Sequence, residues 1–306
     1  MKCRSFPGPG VEHHIVMNPL QEIINPEKGD RYEQLFDEYK NQFGKNYGDK
    51  KEHTQRLSHF RQNVRYIHSK NRQNLSYRLS INHLADQHKD ELGMITGRLN
   101  SHEPNSGKPF DTSTLQLRDV PDTIDWRIAV RKRVRLPAEP MDCSWAYGNN
   151  GCDGGEEWRA YDWIMKNGGL KGEEYGAYIG QNGKCHFNES LVVAKIKDYT
   201  NVTSGNQTEL KTAIATKGPV AVGIDASHLS FAFYADGVYF EKDCGNTPDD
   251  LDHAVLAVGY GNYKGQDYWL VKNSWSTYWG NDGYVLMSLK DNNCGVATDA
   301  TFVDLK

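Results

Sequence analysis

The sequence predicts an α+β protein, and three observations carry that prediction. Residues from Tyr32 to about Asn74 are polar, free of Pro and helically periodic. The C-terminal half alternates runs rich in Val, Tyr and Trp with Gly/Asn/Asp turns, the pattern of strands. Between them, "SHEPNSGKPFDTSTLQLRD" at 101 to 119 is a Pro/Gly/Ser/Thr-rich connection without periodicity, and it makes the best boundary in the chain. The 306 residues suffice for one large or two ordinary domains, each able to bury a core.

In order along the chain, residues 1 to 30 are rich in Pro and Gly and read as a linker or the remnant of an upstream region. "YEQLFDEYKNQF" and "EHTQRLSHFRQNVRYIHSKN" predict two helices. In the second, Glu52, Arg56, Phe60, Asn63, Ile67 and Asn71 stack on one face, a spacing that an amphipathic helix with a Glu52/Arg56 surface pair would also give. After the boundary come a short stretch around "IDWR" and a helix over 156 to 167, closed by Gly168 and Gly169. The strands "PVAVGID", "DGVYF", "HAVLAVGY", "DYWLVKN" and "GYVLMSL" follow.

Composition excludes several partners. Lys+Arg number 36 against Asp+Glu 40, so the chain lacks the basic excess that draws a protein to nucleic acid or anionic lipid. The longest apolar run, "AVLAV" at 254 to 258, falls far short of the roughly 20 residues that span a bilayer. No export signal is legible in the first 20 residues, yet sequons at Asn74, Asn188, Asn201 and Asn206 point toward a glycosylating compartment. The six cysteines, Cys3, Cys143, Cys152, Cys185, Cys244 and Cys294, form no CxxC pair and no metal-ligand cluster. Scattered sulfurs favour disulfides over zinc, and no metal or cofactor is expected.

The strongest chemistry lies in "LDHAVLAVGYGNYKGQDYWLVKNSWSTYWGNDGY". Two strands flank the turn-forming "GNYKGQ", and a hairpin centred near Tyr263 would set His253 opposite Asn273, with Cβ atoms about 4.5 to 5.5 Å apart. The amide would then orient one imidazole nitrogen while the other faces a cleft, as a base requires. Trp275 and Trp279 are positioned to cover the pair. A histidine satisfied at a strand end beside a turn asparagine fits the same residues.

These motifs resemble those of the papain family of cysteine peptidases. "LDHAVLAVGYG" is similar to the family's histidine motif and "YWLVKNSWSTYWGNDGY" to its asparagine motif. The face from Glu52 to Asn71 matches the propeptide signature known by the letters ERFNIN, and "SINHLAD" at 80 to 86 resembles the second propeptide motif, with Ser80 where Gly is usual. "IDWR" looks like a mature-enzyme start and "DCSWAYGNNGCDGG" like a cleft-lining stretch. The likeness runs from about residue 31 to the end.

The resemblance implies a zymogen. An inhibitory propeptide at 31 to 118 would lie in reverse across the cleft of a two-lobed domain at 119 to 306, one lobe helical and one a β-barrel. It would be cleaved near Leu117 to Val120. His253 becomes the acid/base, Asn273 its orienter, and Gly154 and Gly155 the edge that binds a peptide or protein substrate. Cys143 would pair with Cys185 and Cys244 with Cys294, in a monomer that is lysosomal or secreted.

One departure decides the activity. Only 15 residues separate Arg127 from Cys143, where the family carries a much longer segment holding its oxyanion glutamine, nucleophilic cysteine and central helix. "DCSWAYGNNGC" matches the family beyond that helix, so the likeness of "CSW" to a nucleophile motif is accidental. Cys152 should be left as an orphan thiol. The basic run in "IAVRKRVRLPAEP" reads as the scar of an internal deletion near 128 to 142 rather than as a nuclear signal. Losing one large core side chain typically costs about 2 to 5 kcal/mol against a total stability of about 5 to 15, so the helical lobe should be compromised. Two functions compete: a catalytically incomplete endopeptidase zymogen, or a non-catalytic propeptide-type inhibitor of related peptidases.

Overall fold

The computed structural model describes residues 31–113, 120–129, 138–171, 175–176 and 180–306. The Pro-free N-terminal stretch forms α1 (Arg31–Phe43) and α2 (Lys50–Asn71). Asp49 starts α2 by accepting the Glu52 N–H at 2.8 Å, while Glu52 accepts from Gly48 N–H at 3.0 Å. The predicted face then works position by position. Phe60 and Ile67 are buried, and Phe60 packs on the rings of Phe36 and Tyr39. Asn63 donates to the carbonyls of Ala85 and Gln87, both at 2.9 Å. Asn71 exchanges two hydrogen bonds with Leu79. Arg56 is not chiefly a surface partner of Glu52, which stands 3.9 Å away; its two-pronged bond goes to Glu91, at 2.5 and 2.9 Å. A planar guanidinium selects the carboxylate that meets it edge to edge, and that one lies 35 positions away.

These polar groups turn the chain after α2 back along it. Asp86, nearly fully buried, accepts from Tyr39 at 2.7 Å, Tyr47 at 3.0 Å, Lys45 at 3.0 Å and Gln87 at 3.1 Å. Burial alone would raise its pKa, but Lys45 and the hydrogen bonds outweigh burial and hold it below the usual carboxylate value.

The next segment joins the main sheet. Strand β1 (Tyr77–Leu79) precedes α3 (Lys89–Gly93), β2 (Lys108–Pro109), β3 (Ile124–Asp125), α4 (Trp126–Ala129) and α5 (Ala138–Cys143). Then come α6 (Glu157–Lys166), β4 (Leu170–Lys171), β5 (Val192–Ala194), β6 (Ile196–Asn201), α7 (Gln207–Lys217), β7 (Val220–Ile224) and α8 (Leu229–Ala232). The chain closes with β8 (Tyr234–Tyr239), β9 (His253–Tyr263), β10 (Gln266–Lys272), β11 (Tyr284–Ser288) and β12 (Ala300–Leu305). The sheet runs β1-β8-β11-β10-β9-β7-β12-β6-β2, with β3 added against β9, and β1 lies antiparallel to β8 at its edge. Helix α6 falls where Gly168 and Gly169 predict its end, both with positive φ. Helix α7 was not foreseen; its N-cap Asn206, which accepts from Glu209 N–H, is the signal that marks it.

One apolar cluster runs without a break from Phe36, Phe60 and Ile67 of the N-terminal helices to Trp269, Val271 and Met287 of the sheet. A second, much smaller one gathers Cys143, Trp163, Ile164, Tyr175 and Ile196 around α5 and α6. Cys143 bonds Cys185 and Cys244 bonds Cys294. The orphan thiol expected at Cys152 is absent: Cys152 is disulfide-bonded, and no described cysteine is free. A disulfide requires a second cysteine within about 4.4 to 6.8 Å, Cα to Cα, and Cys152 need not keep the partner that the resemblance implied. The linker at 1 to 30, the cleavage point at Leu117 and the basic run over 131 to 135 lie outside the described residues. Among those described, no helix is long and apolar enough to cross a membrane.

Candidate active site

His253 opens β9, paired to Ile224 of β7, and its ring is fully buried. Its Nε2–H donates to Asn273 Oδ1 at 2.8 Å. The two residues do not face each other as the centre near Tyr263 would require. The hairpin turns on Lys264 and Gly265, both with positive φ, so Tyr263 faces Gln266. This register would place Asn273 on the face of the sheet opposite to the imidazole. A bulge corrects it: Leu270 pairs with Gly259 but Val271 with Ala257, leaving Val258 as an extra residue. Extending the corrected register sets Asn273 opposite Val255, two residues from His253 and on its face, and the amide reaches the ring diagonally.

With Nε2 holding the proton, Nδ1 carries the lone pair, and it is buried without a hydrogen-bond partner. Burial pushes the His253 pKa down to about 4, with the Asn273 hydrogen bond opposing the shift. The imidazole is therefore a neutral, oriented base with an unused acceptor atom. Trp275 lies on its face, ring centroids 4.9 Å apart. Trp279 packs against Trp275, Phe231 and Tyr234, with its Nε1–H bonded to Phe231 O at 2.9 Å.

Across from His253 stands the loop carrying Gly154 and Gly155, held by Asn149, whose amide exchanges bonds with Glu156 N–H and C=O. Gly154 has φ +117°, and a Cβ there would come within 2.9 Å of Gly97 O. Residues 95 to 99 fill the space between the loop and His253. Gly155 N–H donates to Gly97 O at 3.0 Å and Leu99 N–H to Gly155 O at 3.1 Å, with Arg98 and Gly155 bridged in parallel. On the other side Arg98 N–H donates to Asp252 O at 2.9 Å, and Trp275 Nε1–H reaches Ile95 O at 3.4 Å.

The sequence reading missed Arg98, Glu157 and Asp299. Arg98 is an almost fully buried cation, ion-paired to Asp299 and 3.9 Å from Glu157. A lone arginine in an irregular segment carries no periodic signal, and its acids stand 59 and 201 positions away. A further cluster of Asp225, His228 and Cys244 has the donor types of a metal site, but the Cys244 sulfur is already bonded to Cys294 and offers no thiolate.

Two family models match the chain: "Papain family cysteine protease" over residues 121–303 and "Cathepsin propeptide inhibitor domain (I29)" over residues 36–92. A Cathepsin L-like peptidase of Aedes aegypti is 38% identical over 309 aligned positions, which take in 86% of this chain and 91% of that protein. Among solved structures, the digestive procathepsin L2 proteinase of Tenebrio molitor larval midgut superposes with TM-score 0.82 at 28% identity, covering 90% of this chain and all of that one. Procathepsin L 3 from the same tissue gives 0.80 at 30% identity, covering 90% and 99%.

Proposed function

Because the chain belongs to the papain family of cysteine proteases, and carries that family's inhibitory propeptide ahead of its protease domain, we propose that it is a zymogen-type protein whose catalytic centre is incomplete. Its divisions are a propeptide at 31 to 118 and a peptidase domain at 119 to 306 that lacks a segment near 128 to 142. His253 is the acid/base that remains, Asn273 orients it, and Gly154 and Gly155 hold a peptide strand. Peptide-bond hydrolysis by this route needs a thiolate to attack the carbonyl and donors to hold the resulting oxyanion.

One observation carries the reading. The lone pair of His253 Nδ1 is buried and unpartnered, while every described cysteine is locked in a disulfide. The alignment with the Aedes aegypti protein supports it: it spans more positions than this chain has residues, although only 86% of the chain takes part. Among the described residues, the apolar cluster around α5 and α6 gathers five buried side chains, as few as a lobe without its central helix would retain. Disulfides and sequons fit a lysosomal or secreted protein.

The test is to expose the purified full chain to a fluorogenic peptide and to a covalent epoxysuccinyl probe. Neither turnover nor a cysteine adduct is expected. Turnover that disappears on Cys143→Ser or Cys152→Ser would overturn the proposal. The inhibitor reading is favoured by the dense packing of Phe36, Tyr39 and Phe60 around the Asp86 network. It is tested by whether the chain slows an active papain-type enzyme in trans.

A further inference from the structure

The four Asn-X-Ser/Thr sequons, at Asn74, Asn188, Asn201 and Asn206, are not equivalent once the chain has folded. An oligosaccharide is bulky and needs an amide nitrogen that faces solvent. Asn201 offers none. It is half-buried at the end of β6, and its Nδ2 donates to Asn105 O and Gly107 O, both at 3.3 Å. Segment 105 to 107 lies so close that a Cβ on Gly107 would come within 2.7 Å of Tyr199 Cδ2 and 2.8 Å of Asn201 Cγ. A sugar on that nitrogen would push the segment off the strand. Asn206 is also half-buried: it caps α7 by accepting the Glu209 N–H at 3.1 Å, and Gln207 already belongs to the helix.

Asn74 and Asn188 are exposed. Asn74 stands in the turn after α2 with φ +52°, and Asn188 caps the short helical turn Glu189–Leu191. Both hydrogen bonds that the Asn188 side chain makes fall on its oxygen, from Ser190 N–H at 3.1 Å and Ser190 Oγ–H at 2.8 Å. The nitrogen is the free end of the amide. The two asparagines also share a setting: Asn74 lies just ahead of β1 and Asn188 just ahead of β5. Strand β1 ends the order of the main sheet, and β5 pairs with β4 alone among the described strands, so each has an unpaired side. Apolar side chains stand in solvent next to both, with Leu75 37% exposed, Leu191 38% and Val193 66%. Such places favour aggregation unless something covers them.

We propose that Asn74 and Asn188 carry N-linked oligosaccharides that cover the unpaired sides of β1 and β5, and that Asn201 and Asn206 carry none. In the transfer, Nδ2 gives up one proton and bonds to C1 of the first sugar. The bond from C1 to the pyrophosphate oxygen of a lipid-linked oligosaccharide breaks, and the lipid pyrophosphate leaves with the electron pair. The assignment rests on the reading of this chain as lysosomal or secreted, and not on the state of its catalytic centre.

The experiment secretes the full chain from insect cells behind an added export leader. Its sequons are mapped by peptide-N-glycosidase release in heavy-oxygen water, read by mass spectrometry. Asn74 and Asn188 should appear as heavy Asp, and Asn201 and Asn206 should remain Asn. Sugar on Asn201 or Asn206 of the folded, secreted protein, or its absence from Asn74 or Asn188, overturns the proposal. Asn74→Gln with Asn188→Gln should raise the aggregated fraction at least about two-fold in size-exclusion chromatography, and an unchanged fraction overturns the covering role. If the native chain is not secreted, Thr203→Ala with Thr208→Ala removes the two inner sequons and keeps both asparagines. Bare Asn74 or Asn188 in that variant overturns the proposal as well. Because the leader forces entry into the glycosylating compartment, these failures count against the sorting of sequons alone. A sugar-free chain from its own source would count against the compartment.

Discussion

Lys70, in the last turn of α2, and Glu241, just beyond β8, form a 3.2 Å ion pair that ties the propeptide to the protease domain, with the carboxylate 5% exposed and the lysine 21%. Ser230 donates to the same oxygen at 2.8 Å, and Asn293 accepts from the Glu241 N–H. A hydrogen bond to a charged group contributes about 1.5 to 3 kcal/mol, so Glu241→Gln should lower thermal stability by that order. Combined with Lys70→Met in a double-mutant cycle, it should give a coupling of about 0.5 to 3 kcal/mol. A coupling of zero would mean that the pair is not formed in solution.

Asn63 gives a sharper local prediction. Its amide satisfies the buried carbonyls of Ala85 and Gln87, and Asn63→Ala leaves both unpaired at about 1 to 3 kcal/mol each. Urea unfolding should record the loss, while Glu52→Ala at the exposed end of the same face should cost no more than about 1 kcal/mol.

The protonation of His253 separates this site from one holding a thiolate–imidazolium pair. Its folded pKa, about 4, lies below the ordinary 6.5, so the unfolded chain takes up the proton first. The stability owed to the neutral ring is whole above 6.5 and is lost as pH falls toward 4. Histidine NMR should find a neutral His253 with its proton on Nε2 from pH 6.5 down to about 5, and protonation setting in only as the pH nears 4. An imidazolium at neutral pH would contradict the arrangement.

The Cys143–Cys185 and Cys244–Cys294 disulfides span sequence separations of 42 and 50, too similar for chain entropy to distinguish. Cys294 is fully enclosed by the main core, whereas Cys143 sits in the small cluster around α6. Replacing Cys244 and Cys294 by Ser should therefore cost the larger share of the usual 2 to 5 kcal/mol, as read from melting temperatures. Equal losses would indicate that the helical lobe is as well packed as the sheet.

Much of this architecture was legible in the residues. The 4-4-3-4-4 spacing from Glu52 to Asn71 identified a working helix face, because a helix converts spacing directly into direction. What spacing could not supply was the partner of each residue. Arg56 finds Glu91 rather than Glu52, and Asp86 gathers its donors from three segments. The His253 and Asn273 pairing was reached by a register that the chain does not use, since the two-residue turn and the bulge at Val258 each displaced the count. Bulges leave no compositional mark in an apolar run. The acids around Arg98 escaped for a similar reason: residues 98, 157 and 299 meet only once the chain has folded.

Strand β1 completes the protease sheet as well as restraining the domain. It covers the outer flank of β8, whose other side is already paired with β11. Detaching residues 77 to 79 would bare a row of backbone amides and carbonyls along Tyr234–Tyr239, the kind of open margin through which separate molecules zip together. While residues 77 to 79 stay in place, that margin is sealed against self-association.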